Sequence, residues 1–171
     1  MPIAFFGLAN RPSLNLPIVG GIQLFPQMCL EIYIDGSYRR QKAGYSFLVL
    51  YKGSRIHAES GHASPWRDGF PGRVRSNDCE VYAAMRALDW LAENAPGEAA
   101  AIVTDSQTVA DILSLRPADP YVAHLKERVK AQAVPLRKIK AHTGISHNEL
   151  ADRMARSALV ARKVSLKATR P

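Results

Sequence analysis

Four acidic residues stand where an acid is costly unless it does chemistry. Asp35 follows three β-forming residues, Ile32, Tyr33 and Ile34, in the stretch EIYIDGSYRR. Asp105 closes AAIVTD, a short apolar strand pattern, and a serine follows it. With Glu80 set at zero on a helical wheel, Val81, Ala83, Ala84, Ala87, Leu88 and Leu91 fall within roughly 100° of it. Tyr82, Arg86, Asp89 and Glu93 fall on the far side, so Glu80 sits within the apolar face. Asp152 lies four residues after Asn148, on one helix face with it, and His142 precedes both in a glycine-containing loop. Each residue has an ordinary account. Asp35-Gly36 is a turn dipeptide, Glu80 complements a helix dipole, Asp105 can cap a helix, and Asp152 can be a surface acid. Brought together, however, such carboxylates repel strongly unless cations neutralise them. Oxygen donors without a cysteine or histidine cluster suit hard divalent ions, Mg²⁺ first and Mn²⁺ as its substitute. Two such ions can activate a water and hold both sides of a scissile phosphate. The chemistry indicated is phosphodiester hydrolysis.

The elements that must position these residues can be read from hydrophobic period and turn signals. Leu30–Asp35, Ala43–Tyr51 and Arg55–Ala63 read as three strands whose short links favour antiparallel neighbours. Gly36-Ser37 reads as the turn that ends the first. A loop rich in proline, glycine and arginine spans Ser64–Ser76, and Asn77 is the expected cap of a helix reaching about Asn94. Ala99–Thr104 is a buried strand, Ser106–Leu115 a short helix, Pro120–Ala133 another helix and Leu136–Ala141 a fifth strand. A last helix is expected from about Ser146 to about Lys163. This order predicts an α/β fold with a five-stranded mixed sheet, three strands antiparallel and then two parallel, flanked by helices. Parallel neighbours would put Asp35 and Asp105 at the same carboxyl edge, where open α/β sheets place their sites.

The 171 residues suffice for one domain with a core. Residues 1–27 are expected to be an extension with little regular structure, 28–163 the domain, and 164–171 a basic tail. The net charge is +8. From Arg137 onward nine Lys/Arg face two acids, so nearly all of the excess lies in the last fifth of the chain. A basic concentration of this kind fits a polyanionic partner, nucleic acid first, and equally a solvated tail kept for solubility. No apolar run is long enough to cross a membrane. The two cysteines, Cys29 and Cys79, form no framework or metal-ligand spacing, which fits a reducing, cytoplasmic setting. Nothing points to self-association, and a monomer is the working expectation.

YIDGS, SNDCEVYAAMRAL, TDSQ and KAHTGISHNELAD, in that order, resemble the type-1 ribonuclease H family from about Cys29 to Lys163. The resemblance implies an endonuclease that cuts the RNA strand of an RNA–DNA hybrid, leaving 5′-phosphate and 3′-hydroxyl ends. It implies that Asp35, Glu80, Asp105 and Asp152 hold two Mg²⁺ ions, with Asp35 bridging them, and that His142 assists proton transfer or product departure. Asn77 and Gln107 match positions that contact the hybrid, and Gly36, Ser37, Asn148, Arg73 and Arg75 join them as expected substrate-binding residues. The chain departs from the family pattern in three places. The turn after the first strand is shortened to YRRQKAG, Ser76 stands where a second Asn is common, and no basic protrusion precedes Pro135. Hybrid contacts are therefore expected from Arg67, Arg73, Arg75 and the basic carboxyl end. A catalytically silent nucleic-acid-binding module, or a DNA-acting nuclease of the same superfamily, would share much of this pattern.

Overall fold

The computed structural model describes residues 30–63, 75–114, 116–117, 119–141, 144–160 and, for the backbone alone, 164–167. The expectations for 1–27, Arg67, Arg73 and His142 lie outside the described residues. In chain order the elements are β1 (Leu30–Arg39), β2 (Lys42–Tyr51), β3 (Ser54–His62), α1 (Ser76–Asn94), β4 (Ala100–Thr104), α2 (Gln107–Ala110), α3 (Pro120–Gln132), β5 (Leu136–Lys138), α4 (Ser146–Ala158) and β6 (Val164–Lys167). The sheet runs β5-β4-β1-β2-β3-β6. The first three strands are antiparallel, and β4 and β5 add parallel strands beside β1, which is the expected five-stranded arrangement.

Three differences follow from pairing that is not local in sequence. Gly36-Ser37 does not end β1, which runs on to Arg39 in register with β2. The turn falls instead at Arg40 and Gln41, both with positive φ (49° and 63°), as a two-residue hairpin linking twisted strands requires. Asp35 still stands at an edge, because β4 pairs with β1 only as far as Tyr33. Residues 164–167, expected in a tail, add a sixth strand antiparallel to β3. The last helix accordingly stops at Ala158 rather than near Lys163.

Alternation along the strands divides the core. Leu30, Ile32 and Ile34 share one cluster with α1 and α3, whereas Tyr33 shares the other with Ala151 of α4. The far side of α1 is not simply solvated. Tyr82 packs edge-on against Tyr45 at 5.0 Å, and Arg86 Nη2 donates to Glu59 Oε1 at 3.0 Å. Tyr45 O–H donates to the same oxygen at 2.6 Å. Burial and that hydrogen bond push the Tyr45 hydroxyl well above its ordinary pKa, so it remains a donor. The helix thus has a polar footing on β2 and β3 as well as an apolar one on β1. Among the described residues no helix is long and apolar enough to cross a membrane.

Both helices that carry site residues lie unusually close to the sheet. A Cβ on Gly36 would stand 2.4 Å from the Glu80 backbone nitrogen, and one on Gly44 would stand 2.3 Å from the Ala155 carbonyl oxygen. These two glycines are one register step apart on paired strands, so α1 and α4 clasp the sheet at nearly one point from opposite sides. Gly36→Ala and Gly44→Ala should each lower unfolding stability by about 1–3 kcal/mol. Urea denaturation measures this, and an unchanged midpoint for either variant would contradict the close approach.

Candidate active site

Asp35 and Asp105 come together because β1 and β4 are parallel neighbours whose pairing ends at Tyr33 and Val103, two residues before each acid. Glu80 joins them from the second turn of α1, held near by the missing side chain at Gly36. Carboxylate oxygens of Asp35, Glu80 and Asp105 all lie within 4.8 Å of one another. Asp152 comes from the opposite helix. Ser46, which pairs with Asp35 across the sheet, donates its hydroxyl to the Ala151 carbonyl at 2.7 Å and so ties the turn bearing Asp152 to the Asp35 row.

Crowding and burial decide the electrostatics. Burial, and then the charges of Asp105 and Asp152, push Asp35 up from 3.8 to about 7, against a lowering contribution from the Gly36 N–H. Glu80 is raised well above its ordinary value by burial first, and then by Asp35 and Asp105, and the Gly36 N–H donates to it as well. Asp35 Oδ2 and Glu80 Oε2 are buried without a hydrogen-bond partner. Buried anionic oxygens without donors are expensive, and a divalent cation would satisfy them. The all-oxygen donor set fits a hard ion such as Mg²⁺.

The expected alternative roles of these acids resolve differently. Ser106, not Asp105, caps α2, its hydroxyl accepting from the Val109 N–H at 3.4 Å. Asp105 is therefore free to face the cleft, and Asn148 Nδ2 orients it through a 3.2 Å hydrogen bond to Oδ2. Asn77 does not cap α1. The cap is Arg75, whose backbone N–H donates to Asp78 Oδ2 at 2.6 Å, and this leaves the Asn77 side chain to the cleft.

The cleft measures about 460 Å³. Asn77 of α1 and Gln107 of α2 line it together with Asn148, Glu149, Asp152 and Arg156 of α4. Gln107 Nε2 also donates to Asp111. Of the expected substrate-binding residues, Gly36, Ser37 and Arg75 are not among those lining this cleft, and Gly36 makes room for the close approach of α1. Glu149 and Arg156 were not singled out as site residues from sequence. Arg156 had a readable signal, since it lies four residues after Asp152 on the same helix. The two form an ion pair, Nε to Oδ1 at 2.7 Å.

A carboxylate-lined cleft at the open end of parallel strands, in a sheet with helices on both faces, defines a class of α/β proteins with acidic sites rather than one family. The sequence narrows it, because residues 27–160 match the RNase H family. The chain belongs to the RNase H family. No curated protein matches it. Among solved structures it is similar to RNase H1 from the halophilic archaeon Halobacterium salinarum, with 21% identity and a TM-score of 0.60 over 76% of this chain and 96% of that one. It is also similar to the N-terminal RNase H domain of a Mycobacterium tuberculosis protein, with 22% identity and a TM-score of 0.58 over 76% and 92%. A third similar structure is an RNase H1 from a compost metagenome in complex with an RNA/DNA hybrid, with 17% identity and a TM-score of 0.57 over 76% and 99%.

The raised pKa of Asp35 means that the folded chain holds this proton more tightly than the unfolded one. Without divalent cations, the resulting stabilisation is full below about pH 4 and is lost as the pH rises through about 7. Glu80 acts in the same direction. Melting temperatures in a chelating buffer, wild type minus Asp35→Asn, should therefore fall between about pH 4 and about pH 7. A difference that stays flat or rises would contradict a buried, crowded Asp35.

Proposed function

We propose that the protein is a divalent-cation-dependent endonuclease that hydrolyses the RNA strand of RNA–DNA hybrids, leaving 5′-phosphate and 3′-hydroxyl ends. One observation supports this most. Within a chain of the RNase H family, three acids converge within 4.8 Å, two of them carrying buried oxygens that no protein donor satisfies. A pure binding module gains nothing from anions placed where phosphates must approach, which favours the catalytic reading over the silent one.

In this reading Asp35, Glu80, Asp105 and Asp152 are the ligands of two Mg²⁺ ions, with Mn²⁺ as substitute. Bound divalent ions would activate water and neutralise charge developing on the phosphate. The chain's own residues set the geometry. The Gly36 N–H fixes Asp35 and Glu80 from below, and Asn148 orients Asp105. Asn77 and Gln107, which line the cleft, are assigned contacts with the hybrid, where 2′-hydroxyls and duplex shape distinguish RNA. His142 is assigned the assistance of proton transfer or product departure. The basic carboxyl-terminal part supplies attraction for the phosphate backbone. A cytoplasmic setting belongs to the same reading, in keeping with Cys79 as a free, buried thiol whose pKa burial pushes up to about 12.

A labelled hybrid incubated with and without Mg²⁺, with the product ends identified, tests the proposal. Asp35→Asn should lower cleavage about a thousandfold or more while leaving the fold intact. His142→Ala should slow turnover by about a hundredfold and leave residual cleavage. Near-normal rates for Asp35→Asn would reject the site, and equal cleavage of duplex DNA would reject the substrate.

A further inference from the structure

Among the described residues, the cleft is lined by five carboxylates (Asp35, Glu80, Asp105, Glu149 and Asp152) and by one basic side chain, Arg156. Two other cations near it are already engaged. Arg86 is turned to Glu59 on the far side of α1, and Lys138 Nζ donates to the Asp105 backbone carbonyl at 2.9 Å. Arg156 Nε, in contrast, meets Asp152 Oδ1 at 2.7 Å. Of the four proposed ligands, Asp152 is the one outside the 4.8 Å group formed by Asp35, Glu80 and Asp105, although its side chain still reaches Asp35. The pairing is therefore with the one proposed ligand that the compact group leaves out.

We propose that Arg156 is the resident counter-ion of Asp152, holding that carboxylate in charge balance while the cleft is empty, and yielding it when the cleft is loaded. The inference rests on the reading of the cleft as a divalent-cation site. Its physical basis is the exposure of the pair. The Arg156 side chain is 61% exposed and the Asp152 side chain 26%, so the guanidinium can leave for water or for a phosphate at little cost. A buried pair would resist exchange, because separation would strand an unpaired charge. Arg156 is thus a positioning residue acting through Asp152, and it competes with the cation for the same oxygen.

The competition has a sign. Removing the guanidinium should tighten cation binding and, in chelator, should leave the acids less well balanced. The test follows the melting temperature of the full chain across an Mg²⁺ titration, comparing wild type with Arg156→Gln, Arg156→Lys and Arg153→Gln. Arg153 is an exposed base on the same helix that does not line the cleft, so it controls for net charge. Arg156→Gln should bind Mg²⁺ about two- to fivefold more tightly and show the larger Mg²⁺-induced shift, as expected when an exposed ion pair no longer competes. Arg156→Lys and Arg153→Gln should stay close to wild type. Unchanged or weaker Mg²⁺ affinity in Arg156→Gln overturns the proposal, as does an equal gain in Arg153→Gln. If wild type shows no saturable Mg²⁺ response, the reading of the cleft as a cation site fails first, and the counter-ion role falls with it.

Discussion

Mutual repulsion among carboxylates at one end of the sheet is the constraint around which this structure is arranged. Two unit charges about 4 Å apart repel by roughly 4 kcal/mol at an effective dielectric near 20. Asp35, Glu80 and Asp105 lie within comparable distances of each other, with Asp152 adding to the field at Asp35. The protein offsets this in four ways. The Gly36 N–H donates to two of the acids, Asn148 donates to a third, Arg156 pairs with the fourth, and Asp35 and Glu80 hold their protons to higher pH. None of these removes the charge permanently. Each is a hydrogen bond, an exposed ion pair or a proton, and each can be exchanged for a cation without unfolding anything.

Such a site needs a rigid frame, since small displacements of the helices would relax the repulsion by separating the acids. The frame is the clasp at Gly36 and Gly44, where α1 and α4 rest on backbone rather than on side chains. Ser46 reinforces it by bonding the Ala151 carbonyl directly beside Asp152. On the other face, the Tyr45–Glu59–Arg86 network keeps α1 from rolling, because turning the helix would strand a buried Glu59. The distant polar network and the acidic cluster thus serve one end. The first resists motion that the second would drive.

Much of this was legible in the residue pattern. Asp35, Asp105 and Glu80 each break a local apolar rule, and a strain that recurs on a strand, a helix and a second strand points to one shared cause. The strand order then brought them together, and β1–β4 parallel pairing bears that out. What was misread depends on tertiary contact. Asp35-Gly36 carries a turn signature, yet Gly36 is a glycine because a helix lies against it, not because the chain reverses there. Asn77 is a good cap by type, but the helix begins one residue earlier and Asp78 reaches back to Arg75. Tyr82 and Arg86 look solvated on a helical wheel, which cannot register that β3 passes beneath them. The four-residue β6 is too short to announce itself, and it exists through pairing with β3.

The charge distribution of the whole chain gains a sharper meaning from the cleft. In the proposed reading a polyanion must be drawn toward a cleft whose charged lining, among the described residues, is five acids and one arginine, so the attraction has to come from elsewhere, and the last fifth of the chain carries nearly all the excess positive charge. Lysines fixed among the acids would serve attraction but would also occupy the oxygens that a divalent cation needs. Keeping the long-range charge outside the cleft, and placing within it, among the described residues, an arginine on an exposed stem as the one base, separates the two tasks. In that reading the basic region sets how readily phosphate arrives, in a manner that salt screens. The buried acids set what happens once it has arrived, and their short distances are screened far less.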